Sequence, residues 1–255
     1  NGIMQTGWVQ EDRYYCEPGS GKMVTGWKLL SAPEVVSIGE ARKSTNNMYW
    51  FYFNQSTGEK LYAKDERVVV KSIDNASYGF DENGIMVTGW AETADASPEI
   101  AGYSYFAEKT QGNWKMGQRV SGTWYATVGP EGDSSSLSTG NVEWFYFKNN
   151  GHPAAGNGKV YEVQRIGDKR YLFNAKGNPV YGIQKGKTAQ NAPEGYYYCG
   201  KNKEDSSVKT GKMNLIDGDG EHITCLFDNI GRGVTGIKQD YAYFNGRLQK
   251  AEKGS

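Results

Sequence analysis

Aromatic and polar positions alternate along this chain in short bursts, and the bursts recur. In Tyr78-Gly79-Phe80-Asp81-Glu82-Asn83-Gly84-Ile85-Met86-Val87-Thr88-Gly89-Trp90, Tyr78 and Phe80 stand two apart and so face the same side of a strand. Asp81 to Gly84 is turn chemistry, with Asn83-Gly84 tolerating positive φ. Met86-Val87-Thr88 reads as a returning strand, and Gly89 lets the backbone pass close before Trp90. The stretch predicts two short strands joined by a tight turn. A lone hairpin of this size is marginal in water, so it needs neighbours.

The sequence supplies copies. The second half recurs as Met4-Gln5-Thr6-Gly7-Trp8 and Met23-Val24-Thr25-Gly26-Trp27, then decays to Pro179-Val180-Tyr181-Gly182-Ile183 and Gly233-Val234-Thr235-Gly236-Ile237. The aromatic half ends successively at Cys16, Phe53, Phe80, Phe106, Phe147, Phe173, Cys199, Phe227 and Phe244. Those ends are separated by 37, 27, 26, 41, 26, 26, 28 and 17 residues. Five of the eight spacings lie within 26–28, which marks a repeat array with insertions near 31–47 and 107–141. Gln111 to Val128, with Trp114 and Trp124-Tyr125, has room for a further degenerate hairpin, and Gly129 to Ser136 is low-complexity loop. Val68 to Ile73 and Lys159 to Val163 are the best ordinary strand candidates, and no convincing amphipathic helix is present. The expected fold is all-β: stacked β-hairpin repeats forming a solenoid-like superhelix over residues 1–250, with 251–255 as a C-terminal tail.

Composition says how such a stack is filled. The chain has 255 residues, 37% hydrophobic and 13% aromatic, with 34 Gly, 18 Tyr and 7 Trp. Short of aliphatic residues, it must build its interior from flat amphipathic rings. Lys plus Arg and Asp plus Glu each number 29, so no basic field is available for nucleic acid or an acidic membrane. No apolar run reaches the roughly 18–20 residues that cross a bilayer. Cys16 and Cys199 stand where other copies have Phe, and Cys225 where others have Tyr, so all three read as small buried fillers.

Candidate chemistry is sparse. His152 and His222 have no nucleophile motif beside them, and there is no phosphate-binding loop or metal-ligand spacing. No catalytic residue and no cofactor is assigned. Asp217-Gly218-Asp219-Gly220-Glu221 has alternate carboxylates that would suit Ca²⁺. It aligns with Ile73-Asp74-Asn75 and Ile166-Gly167-Asp168, however, and reads as an acidic hairpin turn; no metal site is assigned.

The multi-copy pattern is Gly-Trp, an aromatic cluster, Asn/Asp-x-x-Gly, Met and Thr-Gly-Trp. It resembles the cell-wall-binding repeat family of Gram-positive surface proteins, which includes choline-binding modules, glucan-binding domains and clostridial toxin C-terminal repeats. The resemblance implies hairpins stacked as a superhelix, with ligands between repeats held by Gly-Trp rings, a hairpin aromatic and a Met. Carried onto this chain, it implies one site of Trp8, Tyr14 or Tyr15, Met23 and Trp27. A looser set is Trp27, Trp50, Met86 and Trp90. Ile183 and Ile237 have no π face, so cages in the second half are lost or altered.

The implied function is non-catalytic attachment to a choline-bearing teichoic acid or an extracellular glycan polymer, secreted or displayed on a bacterial surface. Neither nucleic acid nor membrane insertion is expected as a partner, and exposed strand edges leave a homodimer open. The rival readings are a structural spacer and the targeting half of a cell-wall lytic enzyme. Because Gly2 to Trp8 already matches half a repeat, a fragment of a longer protein is expected.

Overall fold

The computed structural model describes residues 3–33, 46–64, 67–96, 99–130, 140–216, 220, 222–234, 241–244 and 247–250, the last two as backbone only. Their strands form nine two-stranded sheets, each made of consecutive strands. The first four hairpins pair Gly7–Val9 with Tyr14–Cys16, Gly26–Ser31 with Met48–Phe53, Val69–Ile73 with Ala76–Phe80, and Gly89–Glu92 with Tyr103–Phe106. The fifth pairs Thr123–Val128 with Val142–Phe147, and the sixth Glu162–Ile166 with Lys169–Phe173. The last three pair Ile183–Gly186 with Gly195–Tyr198, Gly211–Ile216 with His222–Phe227, and Tyr241–Phe244 with Arg247–Lys250. The only helix among the described residues is a short 3₁₀ turn, Glu99–Gly102. The all-β class of stacked hairpin repeats is therefore the one found.

Which strands pair differs from the sequence reading. Tyr78 to Phe80 does not form its hairpin with Met86 to Thr88; it pairs backward with Val69–Ile73 around Asp74-Asn75. Asp74 and Asn75 have φ of 49° and 64°, the left-handed pair a two-residue hairpin turn needs. The Asp81 to Gly84 segment is instead a connector between hairpins. Asp81 Oδ1 accepts the backbone N–H of Asn83 and of Ile85, closing a tight loop locally. Gly84 has φ +78°, and a Cβ there would lie 2.7 Å from the Leu61 carbonyl oxygen. Met86 makes only an isolated bridge with Phe80 and gives its own N–H to Trp50 O of the preceding hairpin. The turn chemistry was read correctly and its partner strand was not.

The excursion expected near 31–47 lies mostly, over 34–45, outside the described residues. The degenerate hairpin expected within Gln111 to Val128 is not a separate unit. Trp114 makes one isolated bridge with Gln111, while Trp124-Tyr125 belong to the first strand of the fifth hairpin. Val69–Ile73 is a strand as expected; in the second case the strand is Glu162–Ile166, later than the expected 159–163.

The chain divides into two compact units, Asn1–Thr123 with Phe147–His152, and Trp124–Tyr146 with Pro153–Ser255. In the first unit, strand alternation gives each hairpin two faces. On the second hairpin, Tyr49, Phe51 and Phe53 are buried on one side, where Trp8 and Tyr15 of the first hairpin pack. Trp27, directly opposite Tyr52, faces the other way and meets Tyr78 and Phe80 of the third hairpin at 4.8 and 5.8 Å. The third hairpin has Val70 and Gly79 where the second has Trp27 and Tyr52. A Cβ on Gly79 would lie 2.7 Å from Phe106, so the missing side chain leaves the hole that the fourth hairpin's Phe106 fills. The second unit repeats the arrangement: Trp124 packs on Tyr146 of its own hairpin and on Tyr171 and Phe173 of the next. Edge-to-face pairs of this kind add roughly 0.5–1.5 kcal/mol each beyond their burial.

Backbone hydrogen bonds stitch each hairpin to the one before it. The residue that follows each connector turn donates its N–H to a carbonyl three residues before the end of the preceding hairpin. The pairs are Lys60 to Arg13 at 2.8 Å, Met86 to Trp50 at 2.8 Å, Arg119 to Ser77 at 2.7 Å, Val208 to Arg170 at 2.8 Å and Gly233 to Tyr196 at 2.7 Å. Twice the donor position is a proline, Pro153 and Pro179, which has no N–H. In both cases the preceding side chain takes over. His152 Nδ1 lies 3.0 Å from Tyr103 O, and Asn178 Nδ2 lies 3.5 Å from Trp144 O. A carbonyl only accepts, so His152 carries its proton on Nδ1.

Candidate ligand sites between hairpins

Each Trp of the repeat is held by its own strand partner and by the next hairpin, which is why the four-residue sets expected from sequence do not all assemble. Trp8 meets Tyr15 at 5.3 Å, Phe51 at 4.9 Å and Phe53 at 5.9 Å, and its Nε1 donates to Ser31 O at 3.0 Å. Trp8 and Trp27 share no ring contact, because each is covered by the aromatic strand that follows it. Tyr14 stands opposite Val9 and alternates to the face away from Trp8 and Tyr15. Met23 lies under the connector of the next hairpin, where a Cβ on Gly58 would come within 2.5 Å of its sulfur. The expected set of Trp8, Tyr14 or Tyr15, Met23 and Trp27 thus reduces to Trp8 with Tyr15.

The looser set comes closer to assembling. Trp27 and Trp50 meet edge-on at 6.4 Å, both half-buried. Met86 belongs to the buried cluster of Ile73, Tyr78 and Phe80, and Trp27, Trp50 and Tyr52 pack against that cluster. Trp90 is elsewhere, against Tyr103, Tyr105 and Phe147 at 6.4, 5.4 and 5.4 Å. The Met that follows one hairpin belongs with the Trp of the hairpin before it. The sequence reading grouped Met86 with Trp27 and Trp50, as found, but grouped Met23 with Trp8 of its own hairpin.

At Trp8 the position of Met86 is held by Lys60. Both residues bridge the last Phe of their hairpin, Phe53 and Phe80, and both donate N–H to the hairpin before. Lys60 Nζ lies 5.1 Å from the Trp8 ring centroid and 5.9 Å from that of Phe51. The residue is 7% exposed. Burial pushes its pKa below the ordinary lysine value, partly offset by the fields of Asp12 and Asp81.

The second unit carries a groove of about 540 Å³ whose lining includes Glu143, Trp144, Asn178, Tyr181, Gln184 and Lys203. Trp144 stands three residues before the hairpin's last Phe, where Trp50 and Tyr103 pack on Trp27 and Trp90. Here the ring makes no such contact among the described residues and is 47% exposed; Tyr181 is 45% exposed. The backbone beneath both rings is tied down, Trp144 O by Asn178 Nδ2 and Tyr181 O by Gln184 Nε2 at 2.5 Å. Sequence reasoning noted Trp124 only as part of a degenerate hairpin, without seeing it as the repeat Trp of the fifth hairpin, and missed the groove. The signal for Trp124 was Arg119-Val120-Ser121-Gly122-Thr123-Trp124, the Met-Val-Thr-Gly-Trp pattern with one inserted residue.

The titratable residues with unusual surroundings serve the stack. Cys199 is buried beside Leu172 and Tyr197, and burial pushes its thiol up to about 12. A thiol reagent at pH 8 is therefore expected to leave Cys199 unmodified in the native protein and to label it once urea unfolds the chain; fast native labelling would contradict its burial. No three His, Cys, Asp or Glu side chains among the described residues group to hold a metal ion. Four residues of the acidic turn, 217–219 and 221, lie outside the described residues, although the flanking Ile216 and His222 are strand partners. No helix among the described residues is long and apolar enough to cross a membrane.

No protein-family model matches the chain, and comparison with curated proteins gives no match. Solved structures do match. CbpJ of Streptococcus pneumoniae TIGR4 is 20% identical, with 96% of this chain and 81% of CbpJ covered and a TM-score of 0.53. CbpF, choline-binding protein F of the same species, solved with ipratropium, is 19% identical over 98% of this chain and 88% of its own, with a TM-score of 0.50. The modular autolysin LytC of S. pneumoniae is 16% identical over 98% of this chain, which spans 44% of LytC, at a TM-score of 0.50. The chain therefore has the stacked-hairpin fold seen in these choline-binding and autolysin proteins.

Proposed function

We propose that this chain is a non-catalytic attachment module, secreted or displayed on a bacterial surface, that holds a cationic group of a cell-wall polymer, such as choline on a teichoic acid. The observation that carries this reading is the corner formed by Trp27, Trp50 and Met86. A trimethylammonium group has no hydrogen-bond donor, so electron-rich ring faces are what hold it, at about 0.5–2 kcal/mol per well-placed ring. Two half-buried indoles meeting edge-on, one of them also packed on Tyr52 and Tyr78, supply such faces on rigid strands. Single-site affinity is weak by this arithmetic, and attachment to a polymer gains from repetition through effective concentration. The fold shared with choline-binding proteins supports the same reading.

A second reading is favoured by the groove at Trp144 and Tyr181. Two exposed rings on a fixed backbone, with amides and a carboxylate beside them, suit the apolar face and hydroxyls of a sugar. One experiment separates the two: choline titration followed by tryptophan fluorescence, alongside retention on immobilised glucan. Saturable quenching weakened at least tenfold in Trp27→Leu supports the cation site. Retention on glucan, lost in Trp144→Ala, supports the sugar site. Silence in both sinks the attachment function and leaves a spacer.

A further inference from the structure

The repeat position that follows each connector turn carries Met23, Lys60, Met86 and Arg119 in the first unit. Methionine fills it at two of the four, so packing does not require a charge there. Lys60 nevertheless places an ammonium under the connector, where a Cβ on Gly84 would meet its Cγ and Cδ at 2.8 and 2.7 Å. Its stem is thus fixed by backbone, and its Nζ comes to rest over Trp8 and Phe51. Among the described residues that Nζ has no hydrogen-bond or ion-pair partner. Two ring centroids lie 5.1 and 5.9 Å from it, and the fields of Asp12 and Asp81 act on it as well. An ammonium partly withdrawn from water over ring faces is held by the same attraction that holds a ligand cation.

The neighbouring positions show what is particular to Lys60. Met86 stands at the equivalent place beside Trp27 and has no charge to offer its rings. Arg119 is a cation, but the hairpin it covers has Val70 and Gly79 in place of the Trp and Tyr pair, so it has no indole to meet. Its buried Nε is left without a hydrogen-bond partner. An internal cation over a repeat Trp therefore occurs, among the described residues, at Lys60 and Trp8.

We propose that Lys60 is a resident cation that fills the Trp8–Phe51 site from within the chain, closing it to external cations while the corner of Trp27, Trp50 and Met86 stays open. The closed half of this statement stands on its own geometry; the open half rests on the function proposed above. It follows that the residue at this repeat position decides how many ligands the array takes. A lysine here covers the faces of the repeat Trp, and a neutral residue leaves them free, although the first hairpin has Arg13 where the second has Trp50.

The test is calorimetric titration of the full chain with choline, comparing wild type with Lys60→Met, the residue found at the equivalent positions 23 and 86. Wild type is expected to show one ring site, weakened at least tenfold in Trp27→Leu. Lys60→Met is expected to gain a second, and Trp8→Leu in that background to remove it again. A Lys60→Met or Lys60→Gln protein that binds choline as wild type does, with no added site, overturns the proposal. If wild type binds no choline at all, the attachment reading fails separately. The resident cation is then judged by NMR of the Lys60 side chain, whose methylene protons next to Nζ are expected upfield from the Trp8 ring current. Their return to ordinary positions in Trp8→Leu supports the contact, and ordinary positions in wild type overturn it.

Discussion

Replacing Phe80 with alanine is expected to destabilise the protein by about 3–5 kcal/mol, the usual cost of emptying a buried aromatic site. Phe80 is fully buried, stacks on Trp27 at 5.8 Å, and sits in one cluster with Ile73, Tyr78 and Met86. It joins the second and third hairpins at the centre of a cluster that Trp27, Trp50 and Tyr52 pack against. Neighbouring rings cannot collapse into the hole, because each is fixed by its own strand register. Urea unfolding followed by tryptophan fluorescence measures the loss directly. A cost below about 1 kcal/mol would mean that the aromatic stack does not carry the interface.

The second large effect is at His152, which replaces a backbone donor that Pro153 lacks. His152→Ala removes the hydrogen bond to the Tyr103 carbonyl and is expected to cost about 1–3 kcal/mol. A pH signature accompanies it. Burial, the main cause, together with the nearby Arg119 and Lys148 charges, pushes the His152 pKa below the ordinary value, and the bond to Tyr103 only partly opposes this. A base whose folded pKa is depressed takes up protons more readily when unfolded. Its stabilising effect is full above pH 6.5 or so and is lost as the pH falls below that value. Unfolding midpoints of wild type are expected to fall between pH 7.5 and 5.5, and that component to vanish in His152→Gln. An unchanged slope in His152→Gln would assign the pH dependence to other groups.

The aromatic ends were legible in the sequence because they are local: Phe53, Phe80, Phe106, Phe147, Phe173 and Phe227 each close the second strand of a hairpin. What could not be read was which strand each one pairs with. The Asp81 to Gly84 turn looks like a hairpin turn because its Asp cap and left-handed glycine satisfy the same local chemistry, whereas the true partner is chosen by the Val69–Ile73 ladder. The same ambiguity misplaced the methionine. Met23 is near Trp8 in sequence, but the stitch that sends Met86 N–H to Trp50 shows that this position reaches one hairpin back. Lys60 escaped notice because a lysine in a polar turn has no pattern of its own. Trp144 and Tyr181 were passed over because exposure, and not residue type, sets them apart from rings of the stack.

The empty place at Gly79 has a consequence for how such a chain is lengthened or shortened by gene duplication. A hairpin with a Trp on its forward face meets the flat aromatic strand of any successor, so those copies are interchangeable. The third hairpin is a socket shaped by the absence of a side chain, and Phe106 is its plug. Deleting the third hairpin alone would press Trp27 against a strand built to enter a hole, whereas removing the third and fourth together spares both. The junction thus ties two repeats into one heritable block, and length changes in relatives sharing that glycine are expected to come in pairs at this point.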